Sequence, residues 1–200
     1  MSPELHRWFQ DRALPISPKL ARDMATVGPV TFPDREDHGT AAFLARAVIG
    51  QQISAAAARG IWARIESGAR DGGLAVRDFL AAADEPTLRA CGLSGNKVKA
   101  VRSIHAAAAA GELASLHGID HAIRSERLCA IWGIGQWTCD MLAIFYCREP
   151  DVWPEGDLAV QRTFRSYIGR RKPAKAAAQF APHRTHLALY MWRIKSALWA

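Results

Sequence analysis

Cysteine is scarce in this chain: four residues in 200 (Cys91, Cys129, Cys139 and Cys147), with no CxxC pair among them. In a chain of this length they are expected to stay reduced, as core residues. No apolar run approaches the roughly 18–20 residues needed to span a bilayer. Nor do the first twelve residues, which carry Glu4, Arg7, Asp11 and Arg12, hold the apolar stretch of a signal peptide. A cytoplasmic protein with no membrane contact is therefore expected. β-Branched residues never alternate over more than a few positions, so strands are not predicted. No internal repeat and no low-complexity linker divides the chain. His117 and His121 have a metal-binding spacing, but no Glu or Cys set accompanies them and Gly118 lies between, so no side-chain metal site is expected.

Alanine and positive charge are what the chain has in plenty. Half of the residues are apolar and 22% are charged, which is ordinary globular composition and excludes a disordered or collagen-like chain. Two hundred residues suffice for one substantial domain or two small ones. Alanine runs such as Ala55–Ala58 and Ala106–Ala110 favour helix. The net charge of +7 points to an anionic partner. A short helix, a second near 18–27 and an extended link account for the first forty residues. From Thr40, placed to cap, Phe43, Leu44, Ala47 and Val48 share one helical face. Gly50-Gln51-Gln52-Ile53-Ser54 interrupts that run, and Ser54 is placed to cap the next helix. Further helices are expected near 76–83, 86–91, 95–110, 111–116, 119–131, 136–145, 158–168, 173–181 and 184–198. The fold class is all-α.

The most informative stretch is Leu128-Cys129-Ala130-Ile131-Trp132-Gly133-Ile134-Gly135-Gln136-Trp137-Thr138. An apolar helix ends at Gly133, and another begins just after Gly135. The unpaired N–H groups and positive dipole end of the second helix form a ready phosphate site. Read alone, the pattern is also that of a simple turn between helices. It resembles the hairpin of the helix-hairpin-helix family of DNA-binding proteins. Within that superfamily, Leu44 to Ser54 is similar to the Gln-Gln segment of 3-methyladenine DNA glycosylase II (AlkA-like) enzymes. Cys91 to Ala100 is similar to their Gly-Leu-Ser helix start, and Pro182-His183-Arg184 with Tyr190-Met191-Trp192 to their closing helix. The blocks run in order from about residue 20 to residue 195.

That resemblance implies a helix-hairpin-helix glycosylase fold of two helical subdomains flanking a cleft. One subdomain would span about 41–150, with the hairpin, and the other about 1–40 plus 151–200. It also implies that Asp157, which follows a Pro/Gly-rich loop, is the catalytic carboxylate. From local pattern alone Asp157 reads as a helix N-cap. Asp151 and Glu155 are taken as loop or capping residues. Trp137 stands where strand-cutting relatives have a Schiff-base lysine, so a monofunctional hydrolase is implied. The spacing of the cysteines gives no iron–sulfur cluster.

A base inside a duplex must be extruded to be reached, and a cationic alkylated purine is attracted to electron-rich rings. By resemblance Trp137, Trp192 and Met141 form the base pocket. Gln52 is the wedge that fills the vacated stack, and Ser54 lies near the minor groove. Core packing is the plain alternative for Trp192, and hydrogen bonding at a helix junction for the glutamines. Gly133, Ile134, Gly135 and Thr138 would hold a DNA phosphate, with a monovalent cation on the hairpin carbonyls and no other cofactor. Lys97, Lys99 and Arg102, and also Arg162 and Arg165, are candidate phosphate contacts or solvated helix faces. The implied function is excision of 3-methyladenine and 7-methylguanine from double-stranded DNA by a monomer associated with the nucleoid. Two alternatives are a non-catalytic DNA-binding module and a same-fold glycosylase for hypoxanthine or uracil.

Overall fold

The computed structural model describes residues 1–33, 38–114, 116 and 118–198. Among them are twelve α-helices and no strand. The chain runs through α1 (Pro3–Ala13), α2 (Pro18–Val27), α3 (Thr40–Gly50), α4 (Ala55–Asp71), α5 (Val76–Ala82) and α6 (Glu85–Ala90). It continues through α7 (Gly95–Ala109), α8 (His121–Cys129), α9 (Gln136–Phe145), α10 (Leu158–Ile168), α11 (Pro173–Ala177) and α12 (Arg184–Leu198). A 3-10 turn at Ala178–Phe180 replaces the end of the helix expected over 173–181.

Most helices begin where a short polar side chain accepts a first-turn amide. Ser2, Ser17, Ser54, Asp84, Ser94, Asp120 and Asp157 all do so. Two expectations need correcting. Thr40 is the first helical residue, and Gly39, at φ 85°, holds the cap position without a side chain to offer. No helix forms over 111–114, because Gly111 terminates α7 at φ 81°. Its N–H reaches Ala108 O and that of Glu112 reaches Ala107 O, each at 3.0 Å, satisfying the last carbonyls of α7 in a Schellman arrangement. The next residue of that segment, Ser115, lies outside the described residues.

Cα packing divides the chain into two compact units, Met1–Asp34 with Ala143–Ala200, and Arg35–Leu142. The second division falls inside α9. In the unit that joins both ends of the chain, α1, α2, α10 and α12 enclose Phe9, Leu20, Met24, Phe164, Phe180 and Tyr190. Phe9 stacks on Phe180 with ring centroids 5.6 Å apart. Each such burial contributes about 1.5–3 kcal/mol. In the middle unit, α3, α4, α5 and α7 wrap Ile49, Trp62, Ile65, Leu80 and Val101. No helix among the described residues is long and apolar enough to cross a membrane.

Candidate active site and DNA interface

In the middle unit the hairpin is held by apolar residues at the spacing its sequence shows. Leu128, Ile131 and Ile134 are 1%, 7% and 6% exposed. Gly133 has φ 91°, and a Cβ there would lie 2.5 Å from Ala100 Cβ on α7. Both the dihedral and the close approach of α7 therefore require glycine. Gly135 has neither constraint, since a Cβ would meet nothing within 4 Å.

The amides of the turn are not all available to an anion. Ile134 N–H donates to Ile131 O (3.1 Å), and Thr138 N–H to Gly135 O (2.9 Å). Thr138 is fully buried, and its Oγ1 accepts a 2.7 Å bond from Gln51 Nε2. Both residues thus shape the hairpin from within, while Gly133, Gly135 and Gln136 are exposed around them.

The same Gln51 bond ties the α3–α4 loop to the first turn of α9. Lys97 Nζ secures the loop from below, donating to Ile49 O (2.7 Å) and Gln51 O (3.1 Å) at the end of α3. Burial holds the Lys97 ammonium below its usual pKa. Between these anchors Gln52 is exposed and adopts φ 58°, the left-handed region that side chains other than Asn and Asp rarely enter. Ser54 is exposed as well, and its Oγ accepts from Ala57 N (3.1 Å) as the cap of α4.

Of the five candidate phosphate-binding cations, Lys97 and Arg102 have their polar heads engaged on backbone. Besides Lys97, Arg102 donates to Ala81 O at 2.9 Å and to Ala83 O, closing the end of α5. Lys99 instead lies over the ring of Trp132 at 4.3 Å, and Trp132 is 43% exposed beside the hairpin glycines. Arg162 and Arg165 are exposed on α10.

A buried polar cluster behind the hairpin escapes the sequence reading. Asp140, 4% exposed on α9, accepts from His121 Nε2 (3.1 Å) and Gln136 Nε2 (2.8 Å). Arg124 is fully buried and donates to Leu116 O and Ile119 O. The i, i+4 spacing of Gln136 and Asp140 is the one signal of this cluster in the sequence. The partner of His121 in the metal spacing, His117, lies outside the described residues. Cys129 and Cys139 face each other across the hairpin with sulfurs 3.6 Å apart. Burial first, then the neighbouring Cys129, pushes the Cys139 thiol up to about 12.

Trp137 is half-buried in the first turn of α9, and Met141 one turn later is 6% exposed. In the other unit, the Pro/Gly loop leads to Asp157, which is 8% exposed. Its own N–H donates to Pro154 O (3.0 Å), while its Oδ1 accepts from Val160 N (2.8 Å) and from Trp192 Nε1 (3.2 Å). It is therefore the N-cap that local pattern predicts, and also the partner of an indole on α12. That indole packs against Phe145, ring centroids 5.4 Å apart and planes at 35°. Phe145 is absent from the sequence-derived pocket, although it lies one helical turn beyond Met141 in α9.

The loop itself is clamped to α12. Asp151 makes a two-pronged ion pair with Arg184, both contacts at 2.8 Å. That guanidinium holds the Asp151 carboxyl below its usual pKa. Thr185 Oγ1 donates to Glu149 O (2.7 Å) and accepts from Val152 N (3.0 Å). With Asp151 in a salt bridge and Glu155 exposed, Asp157 is the enclosed carboxylate of this loop.

Residues 45–181 match the HhH-GPD superfamily base excision DNA repair protein model, and the chain belongs to that family. Among similar proteins, DNA-3-methyladenine glycosylase 1 of Schizosaccharomyces pombe is 33% identical over 160 residues, spanning 75% of this chain and 70% of that protein. DNA-3-methyladenine glycosylase 2 of Escherichia coli K12 is 27% identical over 158 residues, or 74% of this chain and 55% of the relative. A solved structure of Schizosaccharomyces pombe 3-methyladenine DNA glycosylase in complex with abasic DNA matches with a TM-score of 0.80. It is 27% identical and covers 94% of this chain and 97% of its own.

Proposed function

We propose that the chain is a monomeric DNA glycosylase that hydrolyses the N-glycosidic bond of alkylated purines, foremost 3-methyladenine and 7-methylguanine, in duplex DNA. The observation that carries the reading is Asp157: an enclosed carboxylate that accepts from the Val160 amide and the Trp192 indole, at the start of α10 within a chain of this family. As the damaged base leaves, positive charge develops at C1′, and a nearby carboxylate stabilises it and orients the water that attacks. The water oxygen bonds to C1′, its proton passes to the carboxylate or to solvent, and the glycosidic electron pair leaves with the purine. A purine alkylated at N3 or N7 is cationic, so it departs neutral without a general acid.

Trp137 receives the flipped base, and its ring favours the cationic lesion over the normal purine by roughly 0.5–2 kcal/mol per contact. Met141 lines the same face of α9 one turn on. Gln52 enters the vacated stack, with Ser54 at the groove edge. The exposed start of α9, at Gly135 and Gln136, takes a backbone phosphate at the helix dipole. The carbonyl of Ile131 accepts the Ile134 amide and keeps a second lone pair, the donor type a monovalent cation uses. Since Trp137 supplies no amine, no Schiff base forms and the strand stays intact.

A panel of duplexes carrying 3-methyladenine, 7-methylguanine, hypoxanthine or uracil, with released bases identified by mass, tests this reading. Release of the two methylated purines from unbroken strands is expected. Release of hypoxanthine or uracil alone would make it a glycosylase for another lesion. Binding without release of any base would make it a non-catalytic module.

A further inference from the structure

We propose that Trp192 is a positioning residue, which holds the Asp157 carboxylate through its indole N–H, and not a surface on which the base stacks. The inference rests on the reading of Asp157 as the reacting carboxylate. Capping α10 needs only the Val160 amide, yet Oδ1 also takes the Trp192 Nε1 proton at 3.2 Å. The first-turn amides of their own helices donate to the other capping carboxylates among the described residues, Asp84 and Asp120.

Two donors on one oxygen define the carboxylate plane, the amide fixing its distance from the helix and the indole fixing its rotation. Oδ2 then points in one direction, which matters for a group that must face a charge developing at a single carbon. The indole is well suited to this task, because its N–H only donates and cannot exchange roles with the acid. The rest of the structure aims that N–H. The ring packs at a tilt against Phe145. Tyr190, Met191 and Ile194 on either side of it along α12 are fully buried. The Asp151–Arg184 pair and the Thr185 hydroxyl bind the Asp157 loop to the start of that same helix. Loop and helix are therefore tied to each other at that end. Enclosure of the carboxylate adds a further reason, since a desolvated anion needs donors that water no longer provides.

The test replaces Trp192 in the full-length protein with phenylalanine, and separately with 3-benzothienylalanine, which keeps the size and flatness of the indole but lacks the N–H. Steady-state kcat and KM for 7-methylguanine release and the affinity for an abasic duplex are measured for each, with Asp157→Asn as reference. Both replacements should lower kcat roughly 10- to 100-fold, the usual worth of a hydrogen bond to a charged group, and leave KM and abasic-site affinity within about threefold. Either replacement combined with Asp157→Asn should cause no further loss. A benzothienyl variant within about twofold of wild-type kcat, or one that changes only KM, would overturn the inference in favour of stacking. If Asp157→Asn is inactive while the Trp192 variants are intact, only this inference fails. If Asp157→Asn itself stays active, the reading beneath it fails as well.

Discussion

Gln52 occupies a conformation that costs a residue with a β-carbon about 1–2 kcal/mol, and its side chain recovers nothing by burial. Gln51 and Lys97 hold the backbone on the near side of it, and Ser54 caps the helix on the far side. Strain that persists on an exposed side chain points to a role outside the fold. Gln52→Gly should therefore raise stability by about 0.5–1 kcal/mol in thermal melts while slowing base release at least about tenfold. Loss of both stability and activity would mean that the glutamine is structural. The neighbouring cations show the limit of reading charge from sequence. Lys97 and Arg102 have the exposed-helix pattern of phosphate ligands, but long flexible stems let them reach helix-end carbonyls instead. Nothing in the spacing of a sequence reports where four methylene groups will lead.

The hairpin offers a sharper comparison, because its two glycines stand in different surroundings. Gly133→Ala brings a Cβ to 2.5 Å from Ala100 and forces alanine to φ 91°, so it should destabilise the protein by about 2–4 kcal/mol. Gly135→Ala meets no atom within 4 Å and should melt like the wild type. It should nonetheless weaken duplex binding about tenfold, since the added methyl group stands at the exposed start of α9 where the phosphate is proposed to bind. Equal melting of the two variants would contradict the packing described here. Sequence periodicity shows the hairpin well because its apolar spacing, double glycine and helix start are local. It also shows α9, α10 and α12, whose expected bounds match those observed. It misplaces the turn after α7, where Gly111 ends α7 and does not begin a further helix. The bonds that cross the chain, Gln51 to Thr138, His121 to Asp140 and Trp192 to Asp157, leave no periodic trace. Asp157 itself is legible only through the family pattern, since its local signature is that of any capping aspartate.

For the molecule as a whole, acid sensitivity should arise in the unit that joins both chain ends. His186 lies among Phe9, Phe32 and His183, and its Nδ1 is buried without a partner. Burial first, then the nearby His183 and the amino terminus, lowers its pKa from 6.5 to about 4. The folded state thus keeps the imidazole neutral while the unfolded chain protonates it, so stability is full above pH 6.5 and declines as the pH falls toward 4. The Asp151 carboxyl, held below its ordinary value of 3.8, loses its contribution only at still lower pH. His186→Leu should flatten the fall of Tm between pH 6.5 and pH 4, and an unchanged slope would place the acid sensitivity elsewhere. The excess of +7 belongs to the same level of description, since with Lys97 and Arg102 engaged on backbone it must act on DNA through other basic residues. On the function proposed above, what the molecule does with that DNA turns on the Asp157 carboxylate. The most direct test is single-turnover release of 7-methylguanine from methylated duplex by the wild type and by Asp157→Asn, alongside their affinities for the same duplex. Release should fall by on the order of 1,000-fold with affinity retained. An Asp157→Asn protein that releases the base within about tenfold of the wild-type rate would contradict the assignment of this carboxylate.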